Sequence, residues 1–217
     1  KLTGGEVHAT EPSNASRTML FDLKEGEWSD SLCKMFSVPR DSLPEIRSTS
    51  GYFGSTINEG PLNKEIPIRS AIGDQQSSLF GQACFKPGDT KNTYGTGSFI
   101  LTNLGEEPPQ TYDGLLTTVA WKLDSQSPLT YAVEGSIFST GATVQWLRDE
   151  LGIIQESSEL EQLAMSCPNS GGVVIVPAFS GLGSTWWDPD ARGIIVGLTR
   201  GVGKTELTKS LALYLFD

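Results

Sequence analysis

Three consecutive runs of β-forming residues constrain the fold of this 217-residue chain more than any other feature of its sequence. Polar turns at Asp113-Gly114 and Asp124–Pro128 separate the runs, and their lengths are typical of paired strands. The runs are Thr93–Thr102, Leu115–Leu123 and Thr130–Phe138. Three such strands in succession predict an antiparallel meander.

Helical patterns follow the last run. Val144, Leu147 and Leu151 fall at positions i, i+3 and i+7, and Gly152 stands where a C-terminal glycine cap belongs. Thr205–Asp217 predicts a final helix, with Leu207, Leu211, Tyr214 and Leu215 on one face. Together with the strands, these patterns indicate an α/β chain.

Three shorter patterns add to this outline. Ser29 is the expected cap of a short helix that starts near Trp28, and Ser158 with Glu161 has the spacing of a capping box. Gly172–Phe179 is nearly all apolar and predicts a fully buried strand.

Composition narrows the classes of partner and compartment. The chain has 16 basic and 26 acidic residues, a net charge of −10, which disfavours nucleic acid and anionic membrane surfaces as partners. No run approaches the roughly 20 apolar residues of a membrane span. Cys33, Cys84 and Cys167 have no metal-ligand spacing and indicate reduced thiols in a cytosolic protein. His8 is the only histidine, which disfavours a histidine-based triad or metal site.

The first candidate functional residue is Asp74, in the stretch GDQQSSLFGQ. It directly follows the apolar, proline-marked run Ile66–Ile72, which predicts a buried strand. A buried carboxylate is costly unless it is paired, so an acid at the end of a strand is either a cap or a working residue. A cap for a helix over Ser77–Gly81 is the structural alternative.

Two glycine-containing segments are candidates for phosphate binding. Gly95-Thr96-Gly97 allows close approach of backbone to a ligand and offers a hydroxyl, although a β-bulge or hairpin turn is the alternative. Ser139–Ala142 opens a helix, where exposed N–H groups and the helix dipole suit an anion. With the acid, these parts match the needs of phosphoryl transfer, a base and a backbone cradle.

A third glycine segment, Gly201–Thr205, is similar to the end of a P-loop. That motif requires a glycine where Leu198 stands, and Gly197 lies one residue too far away. The segment is therefore not expected to bind phosphate.

Four blocks of the sequence closely resemble glycerol kinases of the FGGY carbohydrate-kinase family. The blocks are GDQQSSLFGQACFKPGDTKNTYGTGSF (Gly73–Phe99), SNASRTMLF (Ser13–Phe21), GATVQWLRDEL (Gly141–Leu151) and PAFSGLGSTWWDPDARGIIVGLTRG (Pro177–Gly201). The resemblance runs from Lys1 to about Gly201 and implies an α/β, ribonuclease-H-like (actin-like ATPase) fold. It implies that residues 1–78 are the last part of domain I and that residues 79–217 are most of domain II.

The resemblance also implies an activity, the ATP-dependent phosphorylation of glycerol to sn-glycerol 3-phosphate with Mg²⁺ as cofactor. Asp74 matches the general base of this family, and Gln75 and Phe99 match residues that line the glycerol pocket with it. The positions that match nucleotide-binding residues are Thr96, Gly97, Gly141 and Gln145. No residue is assigned as a metal ligand.

The chain departs from the family pattern in several places. It lacks the Asp-x-Gly-Thr hairpin, the arginine, glutamate, tryptophan and tyrosine of the glycerol pocket, and the glycine pair that receives adenosine. Glu65 stands where some members have an arginine that binds a regulatory sugar bisphosphate, and Leu213 falls where an acid is usual.

We therefore expect part of a cytoplasmic kinase that uses glycerol and MgATP, without nucleic-acid or membrane partners, and that is inactive as this chain alone. A catalytically inactive truncated module and a related FGGY sugar or polyol kinase are the alternatives. Assembly into homo-oligomers stays open.

Overall fold

The computed structural model describes residues 1–216, and within them the chain forms two compact units. Unit 1 comprises Lys1–Lys91 and Ile100–Glu134, and unit 2 comprises Asn92–Phe99 and the chain from Gly135 onward. The domain limits given above, 1–78 and 79–217, stay a prediction.

The described residues contain ten strands and six α-helices. The strands are β1 (Ala9–Thr10), β2 (Phe21–Asp22), β3 (Glu27–Trp28), β4 (Glu45–Ile46), β5 (Thr90–Tyr94), β6 (Ser98–Gly105), β7 (Leu116–Trp121), β8 (Thr130–Ile137), β9 (Val174–Val176) and β10 (Ile194–Val196). The helices are α1 (Pro12–Ala15), α2 (Asp30–Met35), α3 (Asp74–Gly81), α4 (Gly141–Asp149), α5 (Glu159–Met165) and α6 (Lys204–Phe216). No helix within residues 1–216 is both long and apolar enough to cross a membrane.

Two of the three predicted long strands are present as β7 and β8, whereas the predicted run Thr93–Thr102 is divided by a turn into the end of β5 and the start of β6. The strands do not form a meander. The four-stranded sheet has the order β5-β6-β8-β7, so β8 lies between β6 and β7. β7 and β8 are antiparallel, with Leu116 opposite Glu134. The stretch between β6 and β7 is too long for a tight hairpin, and β7 is therefore free to pair with the following strand instead. β5, β6 and β8 contribute residues to both units.

Two clusters of buried side chains form the core of unit 1. One joins α3 to the sheet through Leu79, Cys84, Leu101, Ala120, Trp121 and Ala132. The other contains Ala15, Phe21, Val119 and Tyr131. Leu79 is fully buried, and its burial fixes α3 against the sheet.

The core of unit 2 lies between its three helices and β9. Its buried members are Leu147, Ile154, Leu160, Val173, Ile175, Leu211 and Leu215. Leu147 belongs to the predicted apolar face of α4, and Leu211 belongs to that of α6. Helical periodicity therefore identified both packed faces in part, since Leu151 lies beyond α4 and is exposed, and Tyr214 of α6 is exposed as well. Asp217, the last residue of the predicted final helix, lies outside the described residues.

Both predicted buried strands are corrected by the structure. Ile66–Ile72 is not a strand: it forms one isolated bridge, between Pro67 and Ser55, because proline has no N–H to continue a ladder. Within Gly172–Phe179 only the three residues of β9 are a strand, paired with β10 alone. Ile175 is buried whereas Val174 is 52% exposed, so this two-stranded sheet buries a single face.

The predicted helix signals were right in one case and wrong in another. Ser29 caps α2 by accepting the Leu32 N–H. Ser158 caps nothing through its side chain, because its own backbone is already helical (φ −64°, ψ −21°). The Glu159 carboxylate accepts the N–H groups of Gln155 and Glu156 instead.

Gly152 has the expected conformation beyond the end of α4. The helix ends at Asp149, earlier than the apolar pattern indicates, and Gly152 adopts a left-handed φ of +61°. The Ile153 N–H then donates to the Leu147 carbonyl (2.9 Å), which closes the helix end.

Candidate active site

Asp74 is the first residue of α3 and is exposed. Its Oδ1 accepts the Gln75 N–H at 2.8 Å. The residue before it, Gly73, is the N-cap and forms no side-chain cap, so the predicted capping role of Asp74 is wrong. The carboxylate is presented by the start of a helix, where the positive end of the dipole favours an anion, and not by the end of a buried strand.

A buried glutamate holds the backbone that leads into Asp74. Glu11 is fully buried, and its carboxylate accepts hydrogen bonds from the Ser13 and Asn14 N–H groups and side chains and from the Thr49 hydroxyl. Ser13 Oγ in turn accepts the Gly73 N–H at 2.8 Å. Through Ser13, a residue of α1, this hydrogen-bond network connects Gly73, the N-cap of α3, to the first helix of the chain.

Gln75 contacts Lys91, which belongs to a group of charged side chains of alternating sign that also contains Glu134 and Arg17. Lys91 is 4% exposed, and its Nζ donates to Gln75 Oε1. Glu134 is 2% exposed, and Arg17 Nη2 donates to its Oε1 at 3.0 Å. Burial lowers the pKa of Lys91, and the negative charges of Glu134 and Asp74 oppose that effect.

The glycine segment at the β5–β6 connection is a tight hairpin turn that seals the start of α4. The Gly141 N–H donates to Gly95 O at 3.0 Å, and the Thr140 and Ala142 N–H groups donate to Thr96 O at 2.9 and 3.1 Å. The N–H groups at Ser139–Ala142 were expected to be exposed, and for these three the expectation is wrong. They bind the carbonyl groups of the turn.

Two polar groups of the turn, both in Thr96, do not bind to α4. Within the described 216 residues, the Thr96 N–H and hydroxyl form no hydrogen bond, and Thr96 is exposed. Gln145, also exposed, lies one helical turn after Gly141 on the same face of α4. Unpaired backbone and hydroxyl donors in a tight turn suit an anionic ligand.

Close backbone packing explains two of the predicted glycines. A Cβ at Gly97 would lie 2.3 Å from Ile137 O, and a Cβ at Gly141 would lie 2.4 Å from Gly95 O. Neither oxygen is at the end of a flexible side chain. Both positions therefore require glycine for the turn to pack against β8 and α4.

The predicted site residues fall into two groups. Asp74 and Gln75 belong to unit 1, whereas the others belong to unit 2. The second group is Thr96, Gly97, Phe99, Gly141 and Gln145. Phe99 is the second residue of β6 and is 38% exposed. In the part of the chain that the structure describes, no three His, Cys, Asp or Glu side chains cluster as metal ligands would.

In the P-loop-like segment Gly201–Thr205, two donor groups bind the side chain of the following residue, Glu206. Glu206 Oε2 accepts the Gly203 N–H at 2.9 Å and the Thr205 hydroxyl at 2.9 Å. The Gly203 N–H lowers the pKa of Glu206 below its ordinary value. A carboxylate in this position repels phosphate, in agreement with the sequence-based exclusion.

Glu11, Lys91, Glu134 and Arg17 were not identified from the sequence. Lys91 lies just before the predicted strand Thr93–Thr102, and an ionisable residue beside a strand is usually solvated. Its burial beside Gln75 becomes evident only in the folded structure, where residues 75 and 91 are in contact.

Both halves of the chain match one protein family. Residues 90–214 match the C-terminal domain of the FGGY family of carbohydrate kinases, and residues 1–81 match its N-terminal domain. The glycerol kinase of Alkaliphilus oremlandii is 53% identical over 209 residues, which cover 96% of this chain and 41% of that protein. Glycerol kinase 2 of Thermotoga maritima is 50% identical over 210 residues, covering 97% and 42%. The chain thus spans about two fifths of the length of these curated relatives.

Solved structures agree with the sequence matches. The glycerol kinase of Plasmodium falciparum with ADP superposes with a TM-score of 0.88 at 40% identity, covering 97% of this chain and 42% of that one. A ligand-bound xylulose kinase from Lactobacillus acidophilus superposes with a TM-score of 0.78 at 20% identity, covering 95% and 42%. The predicted α/β, actin-like ATPase fold is confirmed.

Proposed function

Because the chain belongs to the FGGY family of carbohydrate kinases, we propose that it is part of a kinase that phosphorylates glycerol with MgATP, giving sn-glycerol 3-phosphate. One observation carries the choice of substrate. Among the superposed structures, identity is 40% to a glycerol kinase and 20% to a xylulose kinase of the same fold. A related sugar or polyol kinase is therefore disfavoured.

In this proposal Asp74 is the general base. It accepts the proton of a glycerol hydroxyl as that oxygen attacks phosphorus, and its exposure at the start of α3 makes it accessible to a substrate. Gln75 is proposed to bind glycerol through its carboxamide, which supplies hydrogen bonds to hydroxyl groups, and Phe99 is also proposed as a glycerol-binding residue. Proton acceptance by a positioned side chain contributes about 10²- to 10⁴-fold to rate.

The hairpin turn is the proposed nucleotide-phosphate site. Its support is Thr96, which is exposed and whose N–H and hydroxyl form no hydrogen bond within residues 1–216. Gly97, Gly141 and Gln145 complete the proposed set. ATP supplies the transferable phosphoryl group, and Mg²⁺ is expected to be held largely by phosphate oxygens and water.

The test compares Asp74→Asn with Asp113→Asn, an exposed control, in the longest polypeptide that carries this chain. We expect Asp74→Asn to lower glycerol-dependent ADP release at least about 100-fold while ADP affinity stays within about twofold, because only the base is lost. The control should match wild type. Unchanged turnover in Asp74→Asn would refute the role of Asp74.

A catalytically inactive module is the second candidate, favoured by the fact that the chain spans only 41% of the first relative's length. Glycerol-dependent ADP release by the 217-residue chain itself decides between them. Turnover that disappears in Asp74→Asn would refute the inactive module. Absence of turnover from a folded chain, with turnover in a longer polypeptide, would support a kinase that needs further segments.

We also propose a cytoplasmic location. Cys33, Cys84 and Cys167 are free thiols in the structure, as proteins of a reducing compartment usually have.

A further inference from the structure

Lys91 is a buried cation next to the proposed glycerol-binding glutamine, and its role is not explained by the function above. We propose that Lys91 is a positioning residue, which orients the Gln75 carboxamide so that its NH₂ group serves Asp74 and the substrate. This inference rests on the proposed function for the identity of the substrate, but the orientation of Gln75 can be measured without any turnover.

The direction of the hydrogen bond carries the argument. An ammonium group only donates, so the contact between Lys91 Nζ and the Gln75 side chain requires the carboxamide oxygen to face the lysine. The Gln75 NH₂ group is thereby directed to the other side, where Nε2 lies 3.5 Å from Asp74 Oδ2. One of its two N–H bonds can then hold the carboxylate, and the second remains for a hydroxyl group.

A flipped carboxamide would fail in both tasks. It would present its oxygen to the Asp74 carboxylate, where two acceptors repel each other, and it would place NH₂ against the lysine ammonium. A neutral side chain with both donor and acceptor capacity would accept either orientation. Lysine excludes one of them.

The surroundings of Lys91 allow it to remain charged while it is buried. The negative charges of Glu134, Asp74 and the Cys84 thiolate favour the charged form of Lys91, and Arg17 Nη2 donates to Glu134 Oε1 at 3.0 Å. Such buried charge arrays seldom add stability over apolar side chains of the same size. The orientation of Gln75 is a role that an apolar side chain of the same size could not take.

The first measurement is the NMR signal of the Gln75 side-chain NH₂ group in the 217-residue chain, compared among wild type, Lys91→Met and Lys86→Met. Lys86 is exposed and serves as the matched control. We expect Lys91→Met alone to average the two N–H signals toward those of a mobile carboxamide. A Gln75 signal identical to wild type in folded Lys91→Met overturns the proposal, whatever the activity.

The second measurement is turnover in the longest polypeptide that carries this chain. We expect Lys91→Met to lower kcat/KM for glycerol about 10- to 100-fold, the effect of losing one charge-assisted hydrogen bond, with ADP affinity within about twofold. In a Gln75→Ala background the same substitution should change kcat/KM less than about threefold, because the residue through which it acts is gone. An undiminished effect in that background overturns the proposal.

Lys91→Arg keeps the inference testable if Lys91→Met does not fold. Arginine retains the charge and the donors, so the Gln75 signal and kcat/KM are expected to stay close to wild type together or to shift together. A change in one without the other overturns the proposal. If Asp74→Asn leaves turnover unaffected, the proposed function fails, and the NMR result still decides the role of Lys91.

Discussion

Gly141 offers the sharpest test of how the hairpin turn is held, because alanine there should reverse its usual effect. In a helix, replacing glycine by alanine normally stabilises by about 1 kcal/mol. At Gly141, the first residue of α4, the added Cβ would lie 2.4 Å from Gly95 O. That oxygen is part of the backbone of the turn and can yield only if the turn moves.

The magnitude follows from what such a movement breaks. Three hydrogen bonds join the turn to the start of α4, from the N–H groups of Thr140, Gly141 and Ala142. Each is worth about 0.5–1.5 kcal/mol net, and a clash retained without movement costs about 1–3 kcal/mol. Because movement relieves the clash by breaking the bonds, the two costs are alternatives, and the smaller of them sets the loss at about 1–3 kcal/mol. After the helix gain of about 1 kcal/mol is subtracted, Gly141→Ala should lower the free energy of unfolding by up to about 2 kcal/mol instead of raising it.

Urea unfolding monitored by tryptophan fluorescence measures the loss, with hydrogen exchange of the Ala142 amide as the local probe. Exchange is needed because the chain has two compact units and a single transition cannot be assumed. Gly95→Ala is the control within the same turn, since its Cβ would lie 3.5 Å from Gly97 O, an ordinary contact. If Gly141→Ala is as stable as Gly95→Ala and its Ala142 amide is equally protected, the packing argument is wrong.

Three other substitutions test separate features. Glu11→Gln places an NH₂ group among donors and should lower the free energy of unfolding by about 2–4 kcal/mol; a loss below about 1 kcal/mol in urea unfolding contradicts the network. The pKa of Glu206 lies below its ordinary 4.5, so its contribution is present above that pH and is lost as pH falls through the lower folded value. Protection of the Gly203 amide should then decrease on acidification in wild type but not in Glu206→Gln; an equal decrease in both excludes this cap. Thr96→Val should weaken ADP binding about 10-fold in calorimetry relative to Thr111→Val, and equal affinity of the two removes Thr96 from the phosphate site.

Local patterns predicted the elements whose structure depends on nearby residues. The glycines at positions 95 and 97 indicated a hairpin turn as one of two alternatives. The Ser29 cap follows from a hydroxyl three residues before Leu32, and the position of Leu147 on the packed face of α4 follows from helical spacing. In each case the interaction that stabilises the element lies within a few residues of it.

Several of the failures concern pairing between distant segments, although the Ser158 capping box is a local failure. Apolar content alone indicated two buried strands, but the number of neighbours that a strand gains depends on the rest of the fold. Pro67 limits the first to one bridge, and β9 finds only β10. The sheet order is a further example, because β7 pairs with β8 and not with β6, the strand before it in the chain.

The candidate site shows the same division. Asp74 was singled out from its neighbours in sequence, and it is indeed exposed at the start of an element. The residues that surround it could not be found in this way, since Arg17 and Glu134 are 117 positions apart and Lys91 meets Gln75 across 16. Burial of a charge is visible only when all its neighbours are in place.

The anchoring of Gly73 to Ser13 has a consequence for the order of folding during synthesis. The short segment Glu11–Arg17 forms hydrogen bonds to residues 38, 60, 102 and 117 positions away in the chain. Loops of this length close slowly, and the contacts they create cannot form until the distant residue has left the ribosome. Asp74 is therefore synthesised well before its supporting structure is complete, and a nascent chain that ends before Glu134 carries the acid without the array behind it.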